Sequence, residues 1–100
     1  MRRYAIKLDE YNINKNRYYE LAAFCRQYPE KKRSGQPAQM RDVQMIEDTA
    51  RETDEIAQHA ILQNVTAGIP YEQLQPYCGR RQFYEMRRKF FWLLDQRKNG

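Results

Sequence analysis

One hundred residues, 41% hydrophobic and 31% charged, suffice for one compact domain over 1–100 and leave no room for a second. No apolar run approaches the roughly 20 residues of a membrane span, and the opening stretch from Met1 to Lys7 lacks the apolar core and small-residue cleavage site of a secretory signal, so a cytoplasmic chain is expected. Two distant cysteines, Cys25 and Cys78, and one histidine, His59, specify neither a zinc motif nor a disulfide framework, and the net charge of +5 favours anionic partners.

Four glycines, four prolines, few β-branched residues and abundant Glu, Gln, Arg, Leu and Ala predict an all-α fold, a small bundle of about five helices. The first helix is expected over 14–28, where Tyr18, Leu21, Cys25 and Tyr28 fall at amphipathic spacing, Phe24 widens the stripe and Asn14 suits the N-cap. Pro29 lacks a backbone donor and the run after it has no apolar residue to bury, so 29–40 reads as a loop. Val43, Ile46, Ala50, Thr53, Ala57, Ala60, Ile61 and Val65 then sustain helical spacing. A break is expected near Thr53-Asp54, because Asp54 can cap a fresh first turn, giving helices over 41–52 and 54–67. Gly68 follows as a left-handed C-cap, a short helix covers 70–75, and Pro76-Tyr77-Cys78-Gly79 forms a turn. On the last helix, 79–97, Phe83, Met86, Phe90, Leu93 and Leu94 line one side, extended by Tyr84 and Phe91. Arg81, Glu85, Arg88, Lys89 and Trp92 lie opposite.

Charge is segregated along the chain. Residues 1–40 carry nine Lys/Arg against four Asp/Glu, 41–78 carry two against seven, and 79–100 carry seven against two, leaving +5, −5 and +5. Two consequences are compatible. Basic outer helices can lie against an acidic central one, and a basic terminal helix can meet a polyanion, releasing counterions from its phosphates.

A helix, a glycine, a short helix, a tight turn and a long basic helix, in that order within 54–97, match a helix-turn-helix unit. Ile69 and Leu74 are then inward contacts of the scaffold helix, Cys78 fills the turn, and Phe83, Met86 and Phe90 anchor the long helix. Its first turns enter a DNA major groove with Arg81, Gln82, Glu85 and Arg88 toward base edges; arginine suits guanine and glutamine suits adenine. Arg80, Tyr84 and Lys89 flank that face for phosphate contact, and Arg2 and Arg3 add a basic arm. The plainer alternative makes Arg80, Arg81, Arg87, Arg88, Arg97 and Lys98 an ordinary solvated face. Trp92, among Arg81, Glu85 and Arg88, is either covered by the amino-terminal segment or presented to a protein.

Residues 54–97, from Asp54-Glu55-Ile56-Ala57 through Val65-Thr66-Ala67-Gly68-Ile69-Pro70-Tyr71-Glu72-Gln73-Leu74 to Gly79-Arg80-Arg81-Gln82-Phe83-Tyr84-Glu85-Met86-Arg87-Arg88, resemble small phage and prophage proteins described as RinA/ArpU-type transcriptional regulators. The end of that stretch is similar to region 4 of sigma-70 factors. Tyr18-Tyr19-Glu20-Leu21 and Tyr28-Pro29-Glu30 resemble the family's amino-terminal helix less specifically. The resemblance implies a non-enzymatic, DNA-binding regulator of phage genes, with Tyr71 to Leu74 as scaffold helix and Arg80 to Arg88 opening the reader helix.

No nucleophile–base pair, paired carboxylates, metal-ligand spacing or glycine-rich phosphate loop is present, so neither an enzyme nor a cofactor is expected. His59, one turn after Glu55, reads as a local side-chain pair. The cysteines read as small core residues. Expected partners are double-stranded DNA, RNA polymerase or another protein, and a second copy of the chain. The competing role is a non-enzymatic interaction module, such as a phage assembly or packaging adaptor, using Trp92, Tyr84 and Phe91; RNA binding through the basic and aromatic residues is a third.

Overall fold

A computed structural model describes residues 13–99. They form six helices, with no strand among the described residues. The all-α expectation holds. Each of the five expected helices is present, and one more occupies a stretch read from the sequence as a loop.

Helix α1, Lys15–Arg26, starts where Asn14 Oδ1 accepts from the backbone N–H of Asn16 at 2.8 Å. It stops two residues short of the expected end. The chain pivots at Gln27 and enters α2, Tyr28–Ser34, whose first turn holds Pro29. Proline there forfeits an N–H that has no intrahelical acceptor, so the residue expected to end a helix starts one. Glu30 in the first turn and Lys31, Lys32 and Arg33 in the last suit the helix dipole. Gly35 closes α2 at φ 70, and a second proline-led first turn opens α3, Pro37–Thr53. The reading of 29–40 as a loop is therefore corrected, and α3 begins four residues before the expected 41.

The break after Thr53 is where Asp54 predicted it. Its Oδ1 accepts from the N–H groups of Ile56 and Ala57, both at 2.9 Å, and caps a turn over 55–57. Helix α4, Gln58–Ala67, follows that turn instead of starting at 54, and Gly68 ends it at φ 72. One turn of helix, α5, Tyr71–Leu74, and a bend lead to α6, Arg80–Asn99.

Helix α3 packs on α2, α4 and α6, and α1 packs on α4 and α6. Leu21 and Cys25 of α1, Ile46 of α3, Ile61 of α4, and Phe83, Phe90 and Leu94 of α6 are all fully buried. Burying each of the larger side chains contributes about 1.5–3 kcal/mol. Leu93 is only half-buried, whereas Phe91 joins the core, with its ring 5.0 Å from that of Tyr18 in an edge-on contact. Cys78 is buried in the bend, and Ile69 and Leu74 are half-buried, Leu74 against the core.

The charge pattern is resolved partly inside the molecule. Lys31 and Lys32 of α2 meet Asp42 and Glu47 of α3 at 2.6 and 3.6 Å, and Arg97 of α6 pairs with Glu52 of α3. Basic outer helices thus lie on the acidic central one.

Candidate nucleic-acid interface

The apolar side of α6 sets its rotation. With Phe83, Met86, Phe90 and Leu94 inward, residues 81, 85 and 88 must face outward. The Arg81 side chain keeps 93% of its accessible surface, and Glu85 Oε2 stands 3.7 Å from its Nε. Arg81, Tyr84, Glu85 and Arg88 line one shallow cleft of ≈ 180 Å³. Three of the four expected base-contact residues are therefore together. Gln82 is half-buried and lies on the flank of the helix, away from this cleft, and Lys89 is half-buried on the same flank.

The expected phosphate contacts are dispersed. Arg80 pairs with Glu72 and lies over the Tyr84 ring at 5.2 Å, so its charge is already matched by a neighbour. Arg2 and Arg3 lie outside the described residues. Trp92 is half-buried. Phe91, expected in the alternative reading to meet a protein partner, keeps 2% of its surface and belongs to the core, because α1 covers that side of α6.

Composition placed Arg87 on a solvated cationic face, and the structure places it elsewhere. Its Nε donates to Asn64 Oδ1 at 2.6 Å, Asn64 Nδ2 donates to the carbonyl of Ile69 at 3.0 Å, and the guanidinium lies 5.0 Å from the Phe91 ring centre and 5.7 Å from that of Tyr18. A signal was available in the spacing. Arg87 falls four residues after Phe83 and four before Phe91, which puts it in the apolar stripe.

A second cleft, of ≈ 340 Å³, opens between the start of α1 and the middle of α6, lined by Ile13, Lys15, Tyr18, Tyr84, Arg87, Arg88 and Phe91. Tyr84 and Arg88 line both clefts, so the two adjoin at those side chains.

The thiols are unsuited to nucleophilic work. Loss of solvent pushes Cys25 up to about 12, with the nearby charges of Arg87, Lys98 and Arg26 opposing only part of that rise. Burial also raises Cys78. Both are core residues, as the sequence indicated. Among the described residues no group of three or more His, Cys, Asp or Glu is placed to hold a metal ion, and no helix is long and apolar enough to cross a membrane.

Compared with known proteins, the chain matches no family model, no curated protein and no solved structure.

Proposed function

We propose that this chain is a cytoplasmic, non-enzymatic regulator of the RinA/ArpU type that binds duplex DNA, with α4, α5 and α6 acting as a helix-turn-helix and the first half of α6 as reader. The observation that carries this is the outward Arg81 side chain, 93% exposed in the first turn of a helix whose opposite side is locked into the core. A rigid rod with arginines at its exposed start is the element that enters a major groove, where a bidentate arginine reads guanine. Glu85 beside Arg81 adds an acceptor suited to the cytosine amino group, and Arg88 extends the same face one turn on.

The test is fluorescence anisotropy with a labelled duplex over a range of salt. A DNA binder loses affinity along a straight line of log K against log salt, and Arg81→Ala weakens binding further, by about 1–3 kcal/mol where the contact is to a base. No measurable affinity at low salt overturns the proposal.

A second role, as a protein-interaction module, draws support from a different place. Ile56 is 71% exposed and Tyr77 49%, and Asp54 accepts hydrogen bonds from both the Ile56 N–H and the Tyr77 hydroxyl. Exposed apolar surface of this kind fits a protein partner better than a phosphate backbone. Loss of partner binding in Ile56→Asp with DNA affinity unchanged assigns the two roles to separate faces.

A further inference from the structure

Arg87 differs from its neighbours in how its charge is met. Arg17, Arg51, Arg80 and Arg97 each face a carboxylate. Among the described residues Arg87 meets an amide oxygen and two aromatic rings, which orient the guanidinium but do not neutralise it. Its cleft has Tyr18, Tyr84 and Phe91 as walls and Lys15 at the rim, and no described residue lining it carries a carboxylate. A half-buried cation that meets no carboxylate among the described residues, with a second cation on the same cleft and apolar walls that lower the local dielectric, is a site for an anion.

We infer that this cleft is a phosphate subsite, in which Lys15 of α1 and Arg87 of α6 hold a backbone phosphate of the same duplex whose groove α6 enters. The inference rests on the DNA-binding role proposed above and adds α1 to the interface. Adjacency to the Arg81 face decides for a nucleic-acid phosphate over an acidic protein segment. The cleft shares Tyr84 and Arg88 with the Arg81 face, and the strand beside a base-reading helix brings phosphates to that flank. Arg87 is fixed before any ligand arrives, so the anion meets a donor already oriented by Asn64.

The experiment uses the full chain, a labelled duplex, and the variants Arg81→Ala, Lys15→Ala and Lys15→Glu. Lys15 is exposed at the first residue of α1, where glutamate complements the helix dipole, so charge reversal there keeps the fold, as far-UV circular dichroism and the melting temperature verify. Lys15→Ala is expected to reduce the slope of log K against log salt by about 1, and Lys15→Glu to lower duplex affinity about tenfold at low salt. If Arg81→Ala weakens binding while both Lys15 variants keep the wild-type slope and affinity, the subsite is overturned and the DNA-binding role stands. If the wild-type chain has no duplex affinity at low salt, both fall. If a labelled peptide of alternating Glu and Phe binds in a Lys15-dependent way while the duplex slope is unchanged, the occupant is a protein segment and the phosphate subsite is overturned.

Discussion

Arg87 and Asn64, 23 residues apart, are joined by a 2.6 Å hydrogen bond from Nε to Oδ1 that ties the middle of α6 to the last turns of α4. Through its amide nitrogen Asn64 also holds the Ile69 carbonyl, so one side chain fixes both the exit of α4 and the position of α6. Asn64→Ala removes both bonds and leaves the guanidinium without its acceptor. A loss of about 1–3 kcal/mol is expected from urea unfolding. Arg87→Lys is expected to lose a similar amount, since a point-like ammonium cannot reproduce the planar contact with the Tyr18 and Phe91 rings. Full stability in Asn64→Ala refutes the lock.

Gly68 and Gly35 both sit in left-handed backbone, at φ 72 and 70, but their surroundings differ. A Cβ at Gly35 meets open space, so Gly35→Ala carries only the conformational cost of about 1–2 kcal/mol. A Cβ at Gly68 falls 2.8 Å from Nη2 of Arg26, which packs the end of α1 against the end of α4. Gly68→Ala is therefore expected to cost more than Gly35→Ala, because Arg26 must move as well. Combining Gly68→Ala with Arg26→Ala brings the two glycine substitutions to a similar penalty. Melting curves of Gly35→Ala, Gly68→Ala, Arg26→Ala and the Gly68→Ala/Arg26→Ala double variant check this, and equal losses in the two single glycine variants count against the contact.

The Cys25 thiol gives stability a defined alkaline limit. Its ordinary value of 9.0 is pushed up to about 12 in the folded chain, so the native state keeps the proton while the unfolded chain releases it. Between those values the unfolded state binds fewer protons, and stability falls as pH rises. Tyr28, raised chiefly by burial and also by its bond to Glu47, acts in the same direction. Unfolding midpoints measured from pH 8 to 11 are expected to decline, and Cys25→Ala, though less stable at pH 7, is expected to decline less. Rapid thiol labelling of the native chain at Cys25 contradicts this picture.

Helix positions were readable wherever the cause was local. Asp54 announced the α3–α4 break because a short acceptor before a helical run is a cap, and the stripe of α6 fixed its inward side because periodicity maps directly onto burial. Helix α2 was not readable for the same reason in reverse. Tyr28 is the only buried residue it contributes. Its support comes from Lys31 and Lys32 reaching Asp42 and Glu47, and from the Lys31 ammonium 4.4 Å from the Phe24 ring centre, on other helices. The candidate site divides likewise. Arg81, Glu85 and Arg88 share a cleft by helical spacing alone, whereas the pairing of Arg80 with Glu72 depends on how α5 folds back beside α6.

That pairing yields a test specific to the proposed reader role of α6. Arg80 and Arg81 are adjacent in sequence, yet Glu72 and Tyr84 engage Arg80 while Arg81 projects into solvent. An exposed ion pair contributes little to stability, about 0–1 kcal/mol, so Glu72→Gln is expected to leave the melting temperature nearly unchanged. It releases the Arg80 charge and removes a carboxylate from beside the surface proposed to face DNA. Duplex affinity is expected to rise about threefold at low salt, and the slope of log K against log salt to steepen by up to about 1. The gain should vanish in Glu72→Gln combined with Arg80→Ala. An affinity that rises equally in the double variant assigns the effect to net charge alone, and an affinity that does not rise removes Arg80 from the interface.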